Sequence, residues 1–194
     1  MNLRRMIKKL YYLQSTILIC LISGCNIESG LIHYLPPEDS DFSIEFDYPE
    51  EWEWVSEREV SVMRAYDPQY PLEDLDDTTN FPYFGMIVLH VQNNAKPEIM
   101  GEYAQSYIDA TQSIGGEMLV DKKIEIDGTL AGWLERRVPA NPDISRDYEV
   151  FYISIFCYEN GDFYTMHLSV PFEERDGEFA KGFQRMISSI EFIP

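Results

Sequence analysis

The densest group of side chains that could do chemistry is the acidic stretch PLEDLDDTTN at residues 71–80. Carboxylate oxygens are the ligands that Ca²⁺ prefers in proteins. Aligned as an EF-hand loop from Asp74, the stretch has Thr79 where glycine is required and Gly85 where glutamate is required, so that motif is excluded. Two interpretations stay open, a weak cation site with Ca²⁺ as the candidate ion, or a solvated acidic loop. The ligands of such a site would be Glu73, Asp74, Asp76 and Asp77.

Histidine and cysteine residues are too dispersed along the chain to predict a metal or catalytic centre. His90 and His167 fall in separate predicted strands, where a hydrogen-bonded structural histidine is the expected role, and His33 lies near the N-terminus. Cys157 alternates with apolar residues, which predicts a small buried side chain and not a nucleophile. No motif of a serine hydrolase, zinc protease, dithiol oxidoreductase or nucleotide-binding enzyme occurs, and no catalytic residue is predicted.

Aromatic residues stand on both sides of the acidic stretch. Exposed aromatic side chains favour protein interfaces, so one hypothesis is a partner-binding patch with an acidic rim. The alternative is that most of these rings pack into the core, because the predicted sheet must be covered. The candidate residues of the patch are Trp52, Trp54, Tyr70 and Tyr83.

Residues 1–24 have the pattern of a secretory signal. A basic head is followed by an apolar stretch, residues 11–22, that is shorter than the ~20 residues a membrane span needs. The sequence Ile22-Ser23-Gly24-Cys25 resembles the lipobox of bacterial lipoproteins. The resemblance implies cleavage before Cys25 and a diacylglyceryl group on its Sγ, which would anchor the protein to the membrane. An ordinary cleaved signal with an incidental cysteine is the alternative.

The rest of the chain is predicted to be a tether, residues 25–41, followed by one domain, residues 42–194. Residues 1–24 hold four of the 15 Lys and Arg and none of the 34 Asp and Glu, so 11 basic and 34 acidic residues remain. The net charge after cleavage is therefore −23, compared with −19 for the whole chain. Such a surface repels phosphate backbones, which argues against nucleic acid as a partner. It favours basic partners or cations, or serves only to keep the protein soluble.

Apolar periodicity predicts an α+β fold, an antiparallel sheet of about six to seven strands covered by helices. Asp127-Gly128 and Asn160-Gly161 predict tight hairpin turns. One helix is predicted between Pro97 and Gly115, with Ile114 on its apolar face, and a second over about 173–188. The predicted strands are 42–46, 59–66, 84–92, 118–126, 130–138, 148–158, 163–170 and 190–192.

Two stretches resemble PsbP-like domains. Residues 44–52, IEFDYPEEW, are similar to the opening aromatic and proline motif of that family, with Glu51 where a turn glycine is usual. Residues 160–171, the helix that follows and residues 188–192 are similar to its end. The resemblance covers most of residues 41–193. It implies an α/β/α sandwich that is not an enzyme and that binds another macromolecule.

These observations favour a lipid-anchored, non-enzymatic binding or accessory protein outside the cytoplasmic membrane of a bacterium. Its expected partners are the membrane, through lipid on Cys25, and another envelope protein. Two alternatives stay open: a cation- or small-ligand-binding lipoprotein associated with a transporter, and an envelope hydrolase that uses carboxylates in a cleft. The hydrolase requires two acids that converge in a pocket, and the ligand-binding protein requires heat on titration with a cation or solute.

Overall fold

In a computed structural model of the chain, the described residues form antiparallel strands in two sheets, together with two α-helices. The structure describes residues 30–38, 40–57, 62–66, 85–141 and 146–194. Within them, Leu31–Pro194 belongs to one compact unit. Neither of the two α-helices in this described part of the chain has the length and apolar content that would let it cross a membrane. The strands are β1 (Leu31–Tyr34), β2 (Ile44–Pro49), β3 (Glu53–Glu57), β4 (Val62–Tyr66), β5 (Met86–Gln92), β6 (Glu117–Ile126), β7 (Thr129–Val138), β8 (Val150–Glu159), β9 (Asp162–Pro171) and β10 (Glu191–Phe192); the helices are α1 (Ile99–Ser113) and α2 (Glu178–Ser188).

The main sheet has seven strands in the order β3-β4-β5-β9-β8-β7-β6, and the small sheet has the order β1-β2-β10. Every pair of neighbouring strands is antiparallel. The predicted fold class, an antiparallel sheet covered by helices, is therefore confirmed. The strand predicted over residues 84–92 is β5 and lies inside the main sheet, between β4 and β9.

Two-residue turns set the register of the long hairpins. Asp127 and Gly128 have φ values of 46° and 79°, and Asn160 and Gly161 have 51° and 95°. Aspartate, asparagine and glycine tolerate this left-handed conformation, which matches the twist of the flanking strands. The turns pair Ile126 with Thr129 and Glu159 with Asp162. Both predicted hairpins are confirmed.

The two faces of the main sheet are covered by different elements. On one face, α2 and the small sheet enclose the larger apolar cluster, which contains Phe179, Phe183 and Met186 of the helix. On the opposite face, α1 packs on β6, β7 and β8 over a smaller cluster around Leu134 and Phe156. Residues alternate between the faces along each strand, so β7, β8 and β9 each contribute to both clusters.

The structure differs from the sequence prediction near the N-terminus. Residues 31–34, which were assigned to the tether, form β1 and pair with β2 from Leu31↔Pro49 to Tyr34↔Phe46. Residues 53–57 form β3, which was not predicted, because the stretch EWVSE offers only two apolar residues to an alternating pattern. The predicted strand 59–66 is observed as β4, with residues 58–61 outside the described part of the chain.

The helix ends also differ. Ile114 is 55% exposed because α1 stops at Ser113, and Ile114 at the C-cap no longer follows the helical period. The second helix starts at Glu178, later than predicted, because residues 172–174 form a separate 3-10 turn. The predicted inner face of α2 is confirmed, because the buried residues of the helix include Phe179, Phe183, Met186 and Ile187.

Candidate functional site

A polar cluster lies between α1 and the centre of the main sheet. We call it the Arg136 cluster. Its hydrogen bonds join the helix to β7, β8 and β9, where the surrounding residues are mainly apolar. The members of the cluster are Tyr107, Thr111, Arg136, Ser154 and His167.

Local sequence explains why these five side chains meet. Tyr107 and Thr111 are four residues apart, so they lie on the same side of α1. Counting back from the Asn160-Gly161 turn places Ser154 opposite His167 in the β8–β9 ladder. Arg136 enters from β7, two residues beyond Leu134 and therefore on the same sheet face.

Arg136 is a buried cation that is 7% exposed. Its guanidinium carbon lies 4.6 Å from the centre of the Tyr107 ring and 4.9 Å from that of Tyr152, so the cation is held between two aromatic faces. It donates hydrogen bonds to Thr111 Oγ1 at 3.3 Å and to Ser154 Oγ at 3.1 Å. Burial lowers the pKa of Arg136. No carboxylate of the described residues forms an ion pair with it.

His167 is neutral at pH 7 in this environment. Its Nε2 lies 3.2 Å from the Tyr107 hydroxyl and its Nδ1 lies 3.0 Å from Ser154 Oγ. The His167 ring also stacks on Tyr107, with 5.2 Å between ring centres. Burial, and secondarily the charge of Arg136, lowers the pKa of His167 to about 3. The ring therefore takes part in the cluster as an uncharged hydrogen-bonding group.

The Ser154–His167 pair has the residue types of a nucleophile and its base, but not the access that catalysis requires. Ser154 is 0% exposed, and both nitrogens of His167 are already within hydrogen-bond distance of a partner. A substrate carbonyl cannot reach the hydroxyl without displacing α1. The arrangement instead fixes the helix to the sheet through directional bonds. Two buried polar atoms nearby, Arg136 Nε and Ser169 Oγ, have no hydrogen-bond partner among the residues that the structure describes.

The predicted aromatic patch does not form as an exposed surface at its first two residues. Trp52 is 5% exposed and packs with its ring centre 4.8 Å from that of Phe179 on α2. Trp54 is partly buried against Phe46 and Tyr48. The core alternative therefore holds for Trp52, because α2 must be covered where it crosses the small sheet. Tyr70 and Tyr83 lie outside the described residues.

The other predicted site residues divide between the described and the undescribed chain. Outside the described residues lie Cys25 and the acidic residues Glu73, Asp74, Asp76 and Asp77. Lipidation and the weak cation site therefore stay predictions. Among the residues that the structure describes, no three His, Cys, Asp or Glu side chains converge as metal ligands. Cys157 is 0% exposed, which confirms its buried role, and burial raises the pKa of its thiol to about 12.

A second surface feature lies on β1, the strand that follows the predicted lipidation site. Leu31, Ile32 and Leu35 are exposed by 36%, 42% and 62%, and we call them the β1 apolar strip. His33 between them lies 2.7 Å from an Asp47 carboxylate oxygen, and that hydrogen bond is the main cause that raises the pKa of His33. Tyr34 lies on the opposite side of the strand from His33, the side that also carries Ile32, and its ring stacks on Phe46 with 4.8 Å between ring centres.

Comparison with known proteins gives a fold and no family. No protein-family model matches the chain, and no curated protein matches it. The cyanobacterial PsbP (CyanoP) of Synechocystis sp. PCC 6803 matches with a TM-score of 0.53 and 18% identity, over 88% of this chain and 96% of that one. A Bacteroides thetaiotaomicron VPI-5482 protein matches with 0.52 and 10% identity, over 84% of this chain and 48% of its own.

A third solved structure that is similar in fold comes from Mycobacterium tuberculosis. LpqN, described as involved in cell envelope biogenesis, matches with a TM-score of 0.50 and 10% identity, over 86% of this chain and 94% of that one. At these identities the likeness shows the fold alone. The predicted PsbP-like fold is therefore supported: this chain has the α+β fold of PsbP-like structures.

Proposed function

We propose that the chain is a lipid-anchored, non-enzymatic accessory protein of the bacterial cell envelope, which acts by binding another envelope protein. The observation that carries the proposal is the position of the lipobox-like sequence Ile22–Cys25 directly before a folded unit. Cys25 precedes the first residue of β1 by six positions. The anchor and the domain are therefore close neighbours along the chain.

The pairing of β1 with β2 limits how far the domain can extend from the membrane. Six residue steps span at most about 20 Å when fully extended, whereas a tether up to residue 41 would span about 50 Å. A short tether keeps the domain at the surface of the membrane that holds the lipid. Partners within reach are then proteins of that same membrane, or proteins that dock on it.

The non-enzymatic part of the proposal draws support from the Arg136 cluster. The hydroxyl of Ser154 is sealed beneath α1 and His167 is uncharged, so this pair serves packing and register. The shared fold adds a weaker argument, since LpqN is described as involved in cell envelope biogenesis and has a similar fold. Fold likeness alone does not transfer a partner.

Crosslinking in native membranes tests the proposal. The full-length gene product and a Cys25→Ser variant, which cannot carry the lipid, are expressed at matched levels, crosslinked and purified. We expect one recurrent envelope protein to be captured with the wild-type chain, with crosslinks that map to Leu31–Pro194, and to be lost with Cys25→Ser. Equal capture by both forms, or a wild-type chain that is recovered unlipidated from the cytosol, would contradict the proposal.

A further inference from the structure

The exposed large apolar side chains of the described residues are unevenly distributed. Six are exposed, and three of them fall within the five residues from Leu31 to Leu35. This segment contains the edge strand β1 of the small sheet and lies six to ten residues after Cys25. Single exposed apolar residues are normal, but three together at one edge indicate a contact surface.

We propose that the β1 apolar strip, Leu31, Ile32 and Leu35, contacts the lipid surface in which the acyl chains on Cys25 are inserted. This inference rests on the proposed lipid anchor. The chain from Cys25 to Leu31 spans at most about 20 Å, so the strip is the first folded surface that the anchored chain brings to the membrane. Apolar side chains at that position lower their free energy when they leave water and enter the boundary between headgroups and acyl chains.

Strand geometry suits an edge-on contact. Within β1, Leu31 lies on one side of the strand and Ile32 on the other, because side chains alternate, and Leu35 follows the last residue of the strand. A face-on contact would bury only one of the two β1 side chains. A contact along the outer edge of β1 reaches the side chains on both sides of the strand. The other edge of β1 is paired with β2 and stays within the protein.

The same geometry argues against a protein strand as the occupant. β1 is four residues long, and Pro36-Pro37 follow after one residue. Proline has no N–H to donate, so strand addition from another chain could extend over only these four residues. A lipid surface needs no ladder of hydrogen bonds.

Charge next to the strip specifies the lipid. Asp47 and Glu45 lie beside His33, at 2.7 Å and 3.5 Å from its ring nitrogens. Carboxylates at this position are repelled by anionic headgroups. The contact is therefore expected to be stronger on zwitterionic than on anionic lipid.

Lipid-quencher fluorescence on the mature, lipidated protein tests this inference. Ile32→Cys and a matched Ile114→Cys are each labelled with an environment-sensitive fluorophore; Ile114 is 55% exposed and lies at the end of α1, on the opposite face of the main sheet. Cys157 is buried and does not take the label. Each protein is reconstituted into phosphatidylcholine vesicles with and without brominated acyl chains.

We expect at least three-fold stronger quenching at position 32 than at position 114, and a drop toward the position-114 value when Leu31→Ser and Leu35→Ser are added. Equal quenching at both positions, or a shielded label at position 32 that lipid does not quench, as in contact with a second copy, overturns the inference. The mass of the N-terminal peptide distinguishes a failure of the membrane contact from a failure of the lipid anchor. Lipid on Cys25 without preferential quenching overturns only the contact, whereas an unmodified Cys25 overturns the anchor and the contact together.

Discussion

The two faces of the main sheet are built from the same strands but held in different ways. The face beneath α2 is filled by aromatic and aliphatic side chains, among them Trp52, Phe183 and Met166, all at most 5% exposed. The face beneath α1 has apolar residues toward one end and the Arg136 cluster at its centre. Packing volume therefore controls the first face, while hydrogen bonds and charge control the second.

This difference teaches where each kind of perturbation should act. A close-packed apolar face responds to changes in side-chain volume and is indifferent to pH. A face that buries a cation and a neutral histidine responds to protonation and to the loss of single hydroxyls. Four comparisons of variants separate the two responses.

The largest effect is expected from a cavity on the α2 face. Phe183 is 0% exposed, and Phe183→Ala should lower the free energy of unfolding by about 3–5 kcal/mol because the space cannot be refilled. Lys181→Ala on the exposed side of the same helix is the control. It removes only a surface ion pair with Glu178 and should change stability by less than about 1 kcal/mol. Urea unfolding measures both, and a cost below 1 kcal/mol for Phe183→Ala would refute the packing account.

The next largest effect is a pH dependence that arises on the α1 face. The pKa of His167 is lowered to about 3 in the folded protein, so the unfolded state binds a proton more readily. Its contribution to stability is present above pH 6.5 and is lost as pH falls, by about 2 kcal/mol between pH 7 and pH 5. His167→Gln should remove this component and flatten the curve of unfolding free energy against pH. If the curves of the wild-type protein and the variant had equal slopes, His167 would titrate freely in the folded state, which would contradict the account.

A matched pair of glycines in the two helices sharpens the comparison. A Cβ at Gly182 would lie 2.6 Å from Trp52 Cζ2 and 3.3 Å from Pro49 Cγ, whereas a Cβ at Gly101 meets nothing within 4 Å. Gly182→Ala should destabilise by about 1–2 kcal/mol, because overpacking outweighs the gain in helix propensity. Gly101→Ala should stabilise by about 0.5–1 kcal/mol. Thermal unfolding of the two variants should move in opposite directions, and shifts of the same sign would contradict the close contact at Trp52.

The smallest effect is expected from a single hydroxyl. Tyr107→Phe removes the hydrogen bond to His167 Nε2 but keeps the ring beneath Arg136, so it should cost about 0.5–1.5 kcal/mol. Tyr103→Phe on the same helix is the control, because the Tyr103 ring packs on Phe163 and its hydroxyl has no hydrogen bond within the described structure. Denaturant midpoints compare the two, and equal midpoints would remove the cluster's role in holding α1.

Much of the fold was predictable because its signals are local. Two-residue turns at Asp127-Gly128 and Asn160-Gly161 fix the registers of two hairpins, and the 3.6-residue period of α2 marks its buried side. β1 was not predictable in the same way, since four residues between polar sequence and two prolines resemble a linker until their long-range partner β2 is known. The strand at residues 53–57 was missed for a similar reason, because its position depends on its pairing with β4.

The Arg136 cluster was half predictable. Counting back from Asn160-Gly161 places His167 opposite Ser154, which sequence reasoning could have noted. Arg136 could not be found, because arginine is usually exposed and the 11-residue connection 139–149 does not fix the register of β7 and β8 as a two-residue turn would. The Cys157 prediction succeeded because its apolar alternation is a property of β8 alone.

The most direct test of the central claim is the intact mass of the protein extracted from membranes with detergent. A lipid-anchored accessory protein predicts a chain that begins at Cys25 and is heavier than residues 25–194 by a diacylglyceryl group, with or without a further acyl chain. A chain with an unmodified Cys25, or one that begins elsewhere, would contradict the anchor.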